Sequence, residues 1–138
     1  MTDRPQTGDV FHYPYLWAWQ SALGETEGRK DRPCCVALVV PLRSGHHRVY
    51  ILPITTKEPA GDVVTLPVPR TEVHRAGLDS EYSQWIILSE WNREIYEQSY
   101  YISDRTGSGS FSRAFTDQLL EKLKEQLTVG AIATVGRE

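Results

Sequence analysis

The fold is decided by two apolar runs, Cys34-Cys35-Val36-Ala37-Leu38-Val39-Val40 and Arg48-Val49-Tyr50-Ile51-Leu52-Pro53-Ile54. The first run is continuous and rich in β-branched residues, which is typical of a strand covered on both faces. Between the runs, residues 41–47 carry Pro, Ser and Gly, which favour a turn. The two runs therefore predict a hairpin.

Shorter apolar runs on either side of this hairpin predict further strands. They cover residues 8–13, 62–66, 84–89 and 99–102. Residues 14–30 contain Tyr15, Trp17 and Trp19 and predict a long aromatic loop with room for a short helical turn. Residues 106–110, Thr-Gly-Ser-Gly-Ser, predict a second loop.

A helix is predicted near the C-terminus, because apolar residues recur there at steps of three and four. We expect Thr116 to cap this helix and Asp117 to favour its positive end. Several short strands and one amphipathic helix predict a mainly β fold, a small barrel with a covering helix. The apolar stripe consists of Phe115, Leu119, Leu120, Leu123 and Leu127.

Composition places the chain among globular proteins. Of 138 residues, 40% are hydrophobic and 24% are charged, which excludes a fibrous, collagenous or wholly disordered chain. This length predicts a single domain, residues 1–138, with one core. No apolar run approaches the roughly 20 residues of a membrane helix. Residues 1–5 lack the features of a signal peptide, so we expect a cytoplasmic protein without a membrane partner.

The charge is unevenly distributed along the chain. The net charge of −3 argues against a general nucleic-acid coat protein. Between residues 29 and 48, however, Asp31 is the single acidic residue among five basic ones. Charge alone leaves open a local basic surface or a solvated mixed-charge face. The basic residues are Arg29, Lys30, Arg32, Arg43 and Arg48.

Metal and cofactor motifs are missing from the sequence. Adjacent strand residues point to opposite faces, so Cys34 and Cys35 are interpreted as small apolar strand residues. The four histidines are scattered, and the pair His46-His47 falls in a predicted turn. No phosphate-binding, dinucleotide-binding or serine-hydrolase motif occurs, so we expect neither metal nor cofactor.

One group of residues suits phosphate chemistry. Charged residues of the segment 25–32 precede the first hairpin strand, and Thr55, Thr56 and Lys57 follow the second. In an antiparallel hairpin these two ends meet at the same edge. Arg binds phosphate oxygens bidentately, and a hydroxyl adds a directional contact. The alternative is a surface salt-bridge cluster beside Thr residues that end a strand.

The same segments resemble the MazF/PemK family of toxin endoribonucleases, and their later part resembles a PemK-like branch of that family. The resemblance spans most of residues 8–127, and the C-terminal helix also fits. It rests on Gly8-Asp9-Val10, Glu27-Gly28-Arg29-Lys30-Asp31-Arg32-Pro33, Leu52-Pro53-Ile54-Thr55-Thr56-Lys57, Gly77-Leu78-Asp79 and Trp85-Ile86-Ile87-Leu88.

The resemblance implies a small SH3-like barrel that forms a homodimer, cleaves single-stranded RNA without metal and is silenced by an antitoxin. By matching position it implies that the catalytic Arg is Arg32 and the strand-end Thr is Thr55, with Thr56 as the weaker match. An acidic residue that acts as a base in some members falls on Glu27. The long aromatic loop and the acidic composition depart from the short form of the family.

We therefore expect a toxin-type endoribonuclease in which the 2′-hydroxyl of the RNA is the nucleophile. Trp17 and Trp19 could stack on bases, or could pack on the barrel or at a dimer interface. The alternative function is a non-catalytic binding module of the same fold that holds an antitoxin peptide or operator DNA. The remaining expected RNA contacts are Arg29, Lys30, Thr56 and Lys57.

Overall fold

A curled, mostly antiparallel sheet frames the part of the chain that the computed structural model describes, which is residues 5–99, 101–102 and 109–138. The helices are α1 (Ala18–Ala22), α2 (Arg70–Arg75) and α3 (Arg113–Thr128), and a short 3-10 helix spans Tyr96–Gln98. The strands are β1 (Asp9–Tyr13), β2 (Arg32–Pro41), β3 (His47–Thr55), β4 (Thr65–Pro67), β5 (Trp85–Ile87), β6 (Glu90–Ile95), β7 (Gly109–Ser110) and β8 (Ala133–Gly136).

Strand β3 organises the sheet, because it pairs with three other strands. One edge of β3 pairs with β2, with Cys34 opposite Pro53. Its other edge pairs first with β6, along residues 48–51, and then with β5, along residues 54–55. The sheet therefore curls into a half-barrel along the order β4-β5-β3-β2-β1-β7, and β8 adds a parallel pairing to β6.

Both faces of β2 are buried, as the continuous apolar run predicts. Cys35 and Ala37 belong to the larger apolar cluster, which also contains Phe115, Leu119 and Leu123 of α3. Cys34 and Val36 belong to a second cluster on the other face, with aromatic side chains of β1 and the loop after it. The chain length predicts one core. The described residues instead form two apolar clusters that share strand β2.

Most predicted elements are confirmed. The hairpin is β2 and β3, the run 8–13 contains β1, the run 84–89 contains β5, and α1 lies in the aromatic loop. The fold is mainly β with a C-terminal helix, as expected. No helix in the described ranges has the length and apolar character needed to span a membrane.

Several local predictions are wrong. The run 62–66 becomes a strand only at Thr65, and Ser99, Tyr101 and Ile102 lie outside any strand, while residue 100 lies outside the described residues. Of the predicted loop 106–110, residues 109–110 form β7, and residues 106–108 are not described. The cap of α3 is Ser112, whose hydroxyl accepts a hydrogen bond from the Phe115 amide, so Thr116 lies inside the helix. The elements α2, β6 and β8 carry no sequence pattern that predicted them.

The stripe of α3 is only partly buried. Phe115, Leu119 and Leu123 are buried against the sheet, whereas Leu127 in the last turn is 43% exposed. The larger cluster therefore packs on the first three turns of the helix.

Candidate functional site

An open cavity of about 780 Å³ lies at the edge of the sheet where β2 begins and β3 ends. The pairing of Cys34 with Pro53, continued outward by two residues, brings Arg32 and Thr55 to this edge together. Pro33 and Ile54 contribute apolar wall to the cavity. The hairpin register thus explains why residues 23 positions apart in the chain line one cavity.

The cavity collects most of the residues predicted from the sequence. Its wall includes Arg32 and Thr55. Glu27 and Arg29 are not part of its lining. The other predicted residues in the wall are Trp17, Trp19, Lys30, Thr56 and Lys57.

Arg32 is held by an aromatic ring. Its guanidinium carbon lies 5.0 Å from the centre of the Trp17 ring, within cation–π distance. Its Nε is buried and has no hydrogen-bond partner in the described part of the chain. No ion pair to Arg32 occurs among the described residues either. The cation at the cavity edge is therefore oriented without being neutralised by a carboxylate of those residues.

Thr55 forms the turn that ends β3. Its Oγ1 accepts a hydrogen bond of 3.1 Å from the Lys57 amide. The contact from Thr55 Oγ1 to the Lys57 carbonyl oxygen is 3.5 Å, at the outer limit for a hydrogen bond. The position of the hydroxyl is thus fixed, while its proton remains available to a ligand in the cavity.

Arg29 and Glu27 lie apart from the cavity. The Arg29 guanidinium pairs with the Glu25 carboxylate at 2.8 Å and covers the Trp19 ring, 4.9 Å from its centre. This hydrogen bond lowers the pKa of Glu25. The Glu27 carboxylate instead lies beside the Tyr101 hydroxyl, and burial together with this carboxylate raises the pKa of Tyr101. The proposed base Glu27 therefore faces a tyrosine outside the cavity lining.

His12 also lines the cavity, a position that was not predicted from the sequence. It lies opposite Pro33 in the pairing of β1 with β2, and its side chain is exposed. The alternation of β1 places His12 on the same face as Val10, which belongs to the larger cluster. In the sequence, this position is indicated by the alternation of β1, because His12 follows the core residue Val10 by two residues.

Polar side chains of β6 anchor the aromatic loop that carries Trp17 and Trp19. Asn92 is buried, and its amide accepts from the Leu16 N–H at 2.9 Å and donates to the Leu16 carbonyl oxygen at 2.7 Å. On the same face, Glu90 accepts from the Tyr15 hydroxyl at 3.0 Å, and Glu94 accepts from the Tyr13 hydroxyl at 2.6 Å. The cavity wall is therefore attached to the sheet by buried hydrogen bonds.

The C-terminal strand adds a second attachment of this loop. Arg137 donates to the carbonyl oxygens of Pro14, at 2.6 Å, and Thr26, at 3.2 Å. Its guanidinium also lies 3.9 Å from the centre of the Tyr101 ring. Both ends of the aromatic loop are thus fixed by one side chain that follows β8.

The chemistry available in the cavity is anion binding beside apolar and aromatic surface. Lys30, Arg32 and Lys57 supply cations, and Asp31 and Glu58 supply carboxylates. Across the described ranges, no three His, Cys, Asp or Glu side chains are grouped to hold a metal ion.

Comparison of the chain with models of protein families, with curated proteins and with solved structures finds no match.

Proposed function

We propose that this protein is a toxin-type endoribonuclease that cleaves single-stranded RNA, built on a small SH3-like barrel of the MazF/PemK kind. The observation that carries the proposal is the shared cavity of Arg32 and Thr55, with Trp17 and Trp19 on its wall. A cation, a hydroxyl and aromatic rings in one open cavity suit a flexible polyanion with exposed bases.

In this function the 2′-hydroxyl of the RNA attacks the adjacent phosphorus. Arg32 stabilises the negative charge that builds up on the phosphate oxygens, and the Thr55 hydroxyl donates to one of them. A preorganised donor to a developing anion contributes about 10²- to 10³-fold in rate. Because no described carboxylate pairs with Arg32, its full charge is available to the substrate.

The remaining wall contacts hold the RNA strand. Trp19 is 52% exposed, and a base stacked on such a ring contributes about 1–3 kcal/mol. Lys30 and Lys57, with the Thr56 hydroxyl, bind neighbouring phosphates. Arg29 is ion-paired with Glu25, so it binds phosphate more weakly than its charge alone predicts.

The test is cleavage of end-labelled single-stranded RNA in the presence of EDTA. We expect a 5′ fragment that ends in a 2′,3′-cyclic phosphate, and no cleavage where the nucleotide at the cut carries hydrogen in place of the 2′-hydroxyl. Thr55→Ala should slow cleavage, whereas Thr71→Ala, an exposed threonine on α2, should not. Cleavage of an all-deoxy strand at a comparable rate would contradict the mechanism.

The alternative function is a non-catalytic binding module for an antitoxin peptide or operator DNA. The same experiment distinguishes it from the endoribonuclease. It predicts that RNA stays intact while a co-purified acidic partner or a DNA duplex binds. For the endoribonuclease we also expect a cognate antitoxin, and the cationic cavity is where an acidic segment of it would bind.

A further inference from the structure

Two tryptophans of the aromatic loop each lie beside an arginine. In the first pair, the Arg32 guanidinium carbon lies 5.0 Å from the centre of the Trp17 ring. In the second pair, the Arg29 guanidinium carbon lies 4.9 Å from the centre of the Trp19 ring. The distances are nearly equal, so the surroundings of each pair decide which member a ligand can reach.

Trp17 is enclosed by other parts of the protein. Its ring meets the Tyr15 ring edge-on, with 5.0 Å between the ring centres, and packs against the second cluster. Arg32 pairs across the strands with Tyr13, a member of that cluster, so its side chain lies on the same face of the sheet as Trp17. A base stacked on the covered face of Trp17 would displace the guanidinium that the proposed function needs.

The Arg32 guanidinium depends on Trp17 for its orientation. Among the described residues, its side chain makes no ion pair, and its buried Nε has no hydrogen-bond partner. The contact with the Trp17 ring is therefore what holds the group in place. Without this ring, a long and flexible side chain would sample more conformations and bind a phosphate less well.

Trp19 is exposed, in contrast to Trp17. Its exposed fraction is 52%, and it is not among the described members of either apolar cluster. Arg29 covers one face of its ring, and the ion pair with Glu25 holds the guanidinium there. Trp19 lines the cavity and Arg29 does not, so Arg29 covers the side of the ring that is turned away from the cavity. The remaining surface of the ring is available to a flat ligand.

We propose that Trp19 stacks on a base of the bound strand, whereas Trp17 is a positioning residue that orients Arg32 toward a phosphate. This inference rests on the proposed function and divides the roles of its two tryptophans. The occupant of the Trp19 ring is a nucleobase because the cavity beside it carries Lys30, Arg32 and Lys57. Proteins bind single-stranded nucleic acid in this way, with aromatic platforms next to cations that hold the phosphates.

The experiment measures the binding of two fluorescein-labelled strands of equal length by fluorescence anisotropy. One is a 2′-deoxy oligonucleotide of mixed sequence, and the other is the same sugar-phosphate chain without bases. Neither strand has a 2′-hydroxyl, so binding is measured without cleavage. The strands share their phosphates and differ in their bases, which separates stacking from phosphate contacts.

We expect Trp19→Ala to bind the strand with bases about 5- to 150-fold more weakly than wild type, the factor that corresponds to one lost stacked base. Its affinity for the abasic strand should stay within about twofold of wild type, because that strand has nothing to stack. Tyr82→Ala is the matched control and should bind both strands as wild type does. Tyr82 is an aromatic residue with a similar exposed fraction, 55%, and it does not line this cavity.

Trp17→Ala should weaken the binding of both strands by the same factor, since Arg32 contacts the phosphates that they share. Trp17→Phe should restore most of the affinity, because a phenyl ring also binds a guanidinium group. In an Arg32→Ala background, Trp17→Ala should cause no further loss on the abasic strand. A merely structural role of Trp17 would instead make the two losses additive.

The stacking role would be overturned if Trp19→Ala weakened both strands equally. It would also be overturned if Trp19→Ala kept its affinity and changed only the oligomeric mass measured by light scattering. Additive losses for Trp17→Ala and Arg32→Ala would overturn the positioning role. In these cases RNA cleavage by the wild-type protein still upholds the proposed function.

The opposite separation is also measurable in the wild-type protein. Binding that depends on both the bases and Trp19, with no cleavage of RNA, would support this inference and contradict the endoribonuclease. If the wild-type protein neither prefers the strand with bases nor cleaves RNA, the inference and the proposed function both fall.

Discussion

Among single side chains, Arg32 connects the hairpin to the proposed chemistry. It begins β2, so its backbone belongs to the sheet, while its guanidinium stacks on Trp17 of the aromatic loop. A cation–π contact of this kind contributes about 0.5–2 kcal/mol, which orients the group without removing its charge. A residue that stabilises a pentacoordinate phosphate needs both properties.

We expect Arg32→Ala to reduce RNA cleavage by at least about 10²-fold and to leave the fold intact, because the main contribution of the side chain is transition-state charge and its contact with Trp17 is worth only about 0.5–2 kcal/mol. Arg32→Lys should restore little activity, since an ammonium group lacks the bidentate fork. Cleavage rates and thermal unfolding by circular dichroism measure the two effects. Arg43→Ala, an exposed arginine at the other end of the hairpin, is the control. Cleavage by Arg32→Ala at the wild-type rate would remove Arg32 from the site.

Glu94 is a buried carboxyl group whose titration should affect stability. Burial raises its pKa, so the folded protein holds this proton more tightly than the unfolded chain does. The free energy of unfolding contributed by Glu94 is therefore highest at low pH and is lost as the pH rises from the ordinary carboxyl range through the raised value.

We expect Glu94→Gln to flatten this pH dependence, because the amide oxygen still accepts from the Tyr13 hydroxyl but cannot ionise. Urea unfolding between about pH 4 and about pH 8 measures the effect. The exposed residue Glu121 on α3 provides a control as Glu121→Gln. An unchanged slope in Glu94→Gln would show that this carboxyl does not set the pH dependence.

At the level of elements, the aromatic loop between β1 and β2 is structured by tertiary contacts more than by its own secondary structure. It contains one helix of five residues, α1. Alternate residues of β6 bind the loop through buried and partly buried hydrogen bonds, and Arg137 binds its two ends. These contacts place Trp17 and Trp19 in the cavity wall, so loop and site are one structural unit.

Gly28 allows the second half of this loop to pack against the first. A side chain at this position would overlap the carbonyl oxygen of Pro14. We expect Gly28→Ala to destabilise the protein by about 1–3 kcal/mol, because backbone cannot move aside as a flexible side chain can. Weaker RNA binding should accompany the loss if the loop carries the stacking tryptophans.

The matched control is Gly61→Ala, since an added Cβ at Gly61 meets no atom within 4 Å. Urea unfolding of the two variants makes the comparison. Equal stability of Gly28→Ala and Gly61→Ala would mean that the loop does not need the close approach at Pro14.

For the whole molecule, the two-sided burial of the sheet decides which surfaces remain exposed. One face is covered by α3 and the other by the aromatic loop, leaving the cavity open at the sheet edge between them. Large apolar side chains also remain exposed, among them Trp19 at 52%, Leu23 at 72% and Tyr82 at 55%. Trp19 and Leu23 belong to α1 and its C-terminal end, next to the cavity.

We expect the protein to form a homodimer, as the family resemblance implies and as exposed apolar residues favour. Light scattering at micromolar concentration should then report about twice the chain mass of 15.7 kDa. Leu23→Glu should shift the equilibrium toward the monomer if the α1 region lies in the interface, and Leu127→Glu at the end of α3 is the comparison. A monomer at every concentration tested would contradict the expectation.

Elements whose patterns are local could be predicted from the amino-acid sequence. The continuous apolar run of β2, the turn residues after it and the spacing of leucines along α3 each depend on neighbours within one element. The hairpin also brings Arg32 and Thr55 to one edge, because antiparallel pairing of adjacent strands follows from the turn. Fold class and the centre of the candidate site were predictable for this reason.

The distant residues that join this centre depend on long-range packing. His12 reaches the cavity because β1 pairs with β2, and Glu27 stays outside because its segment packs against Tyr101. The polar strand β6 carries no apolar pattern of its own; its backbone pairs with β3 and β8, and its side chains Glu90, Asn92 and Glu94 are hydrogen-bonded by residues 13–18. Such partners lie more than 70 residues apart, so no window along the sequence contains both sides of the interaction.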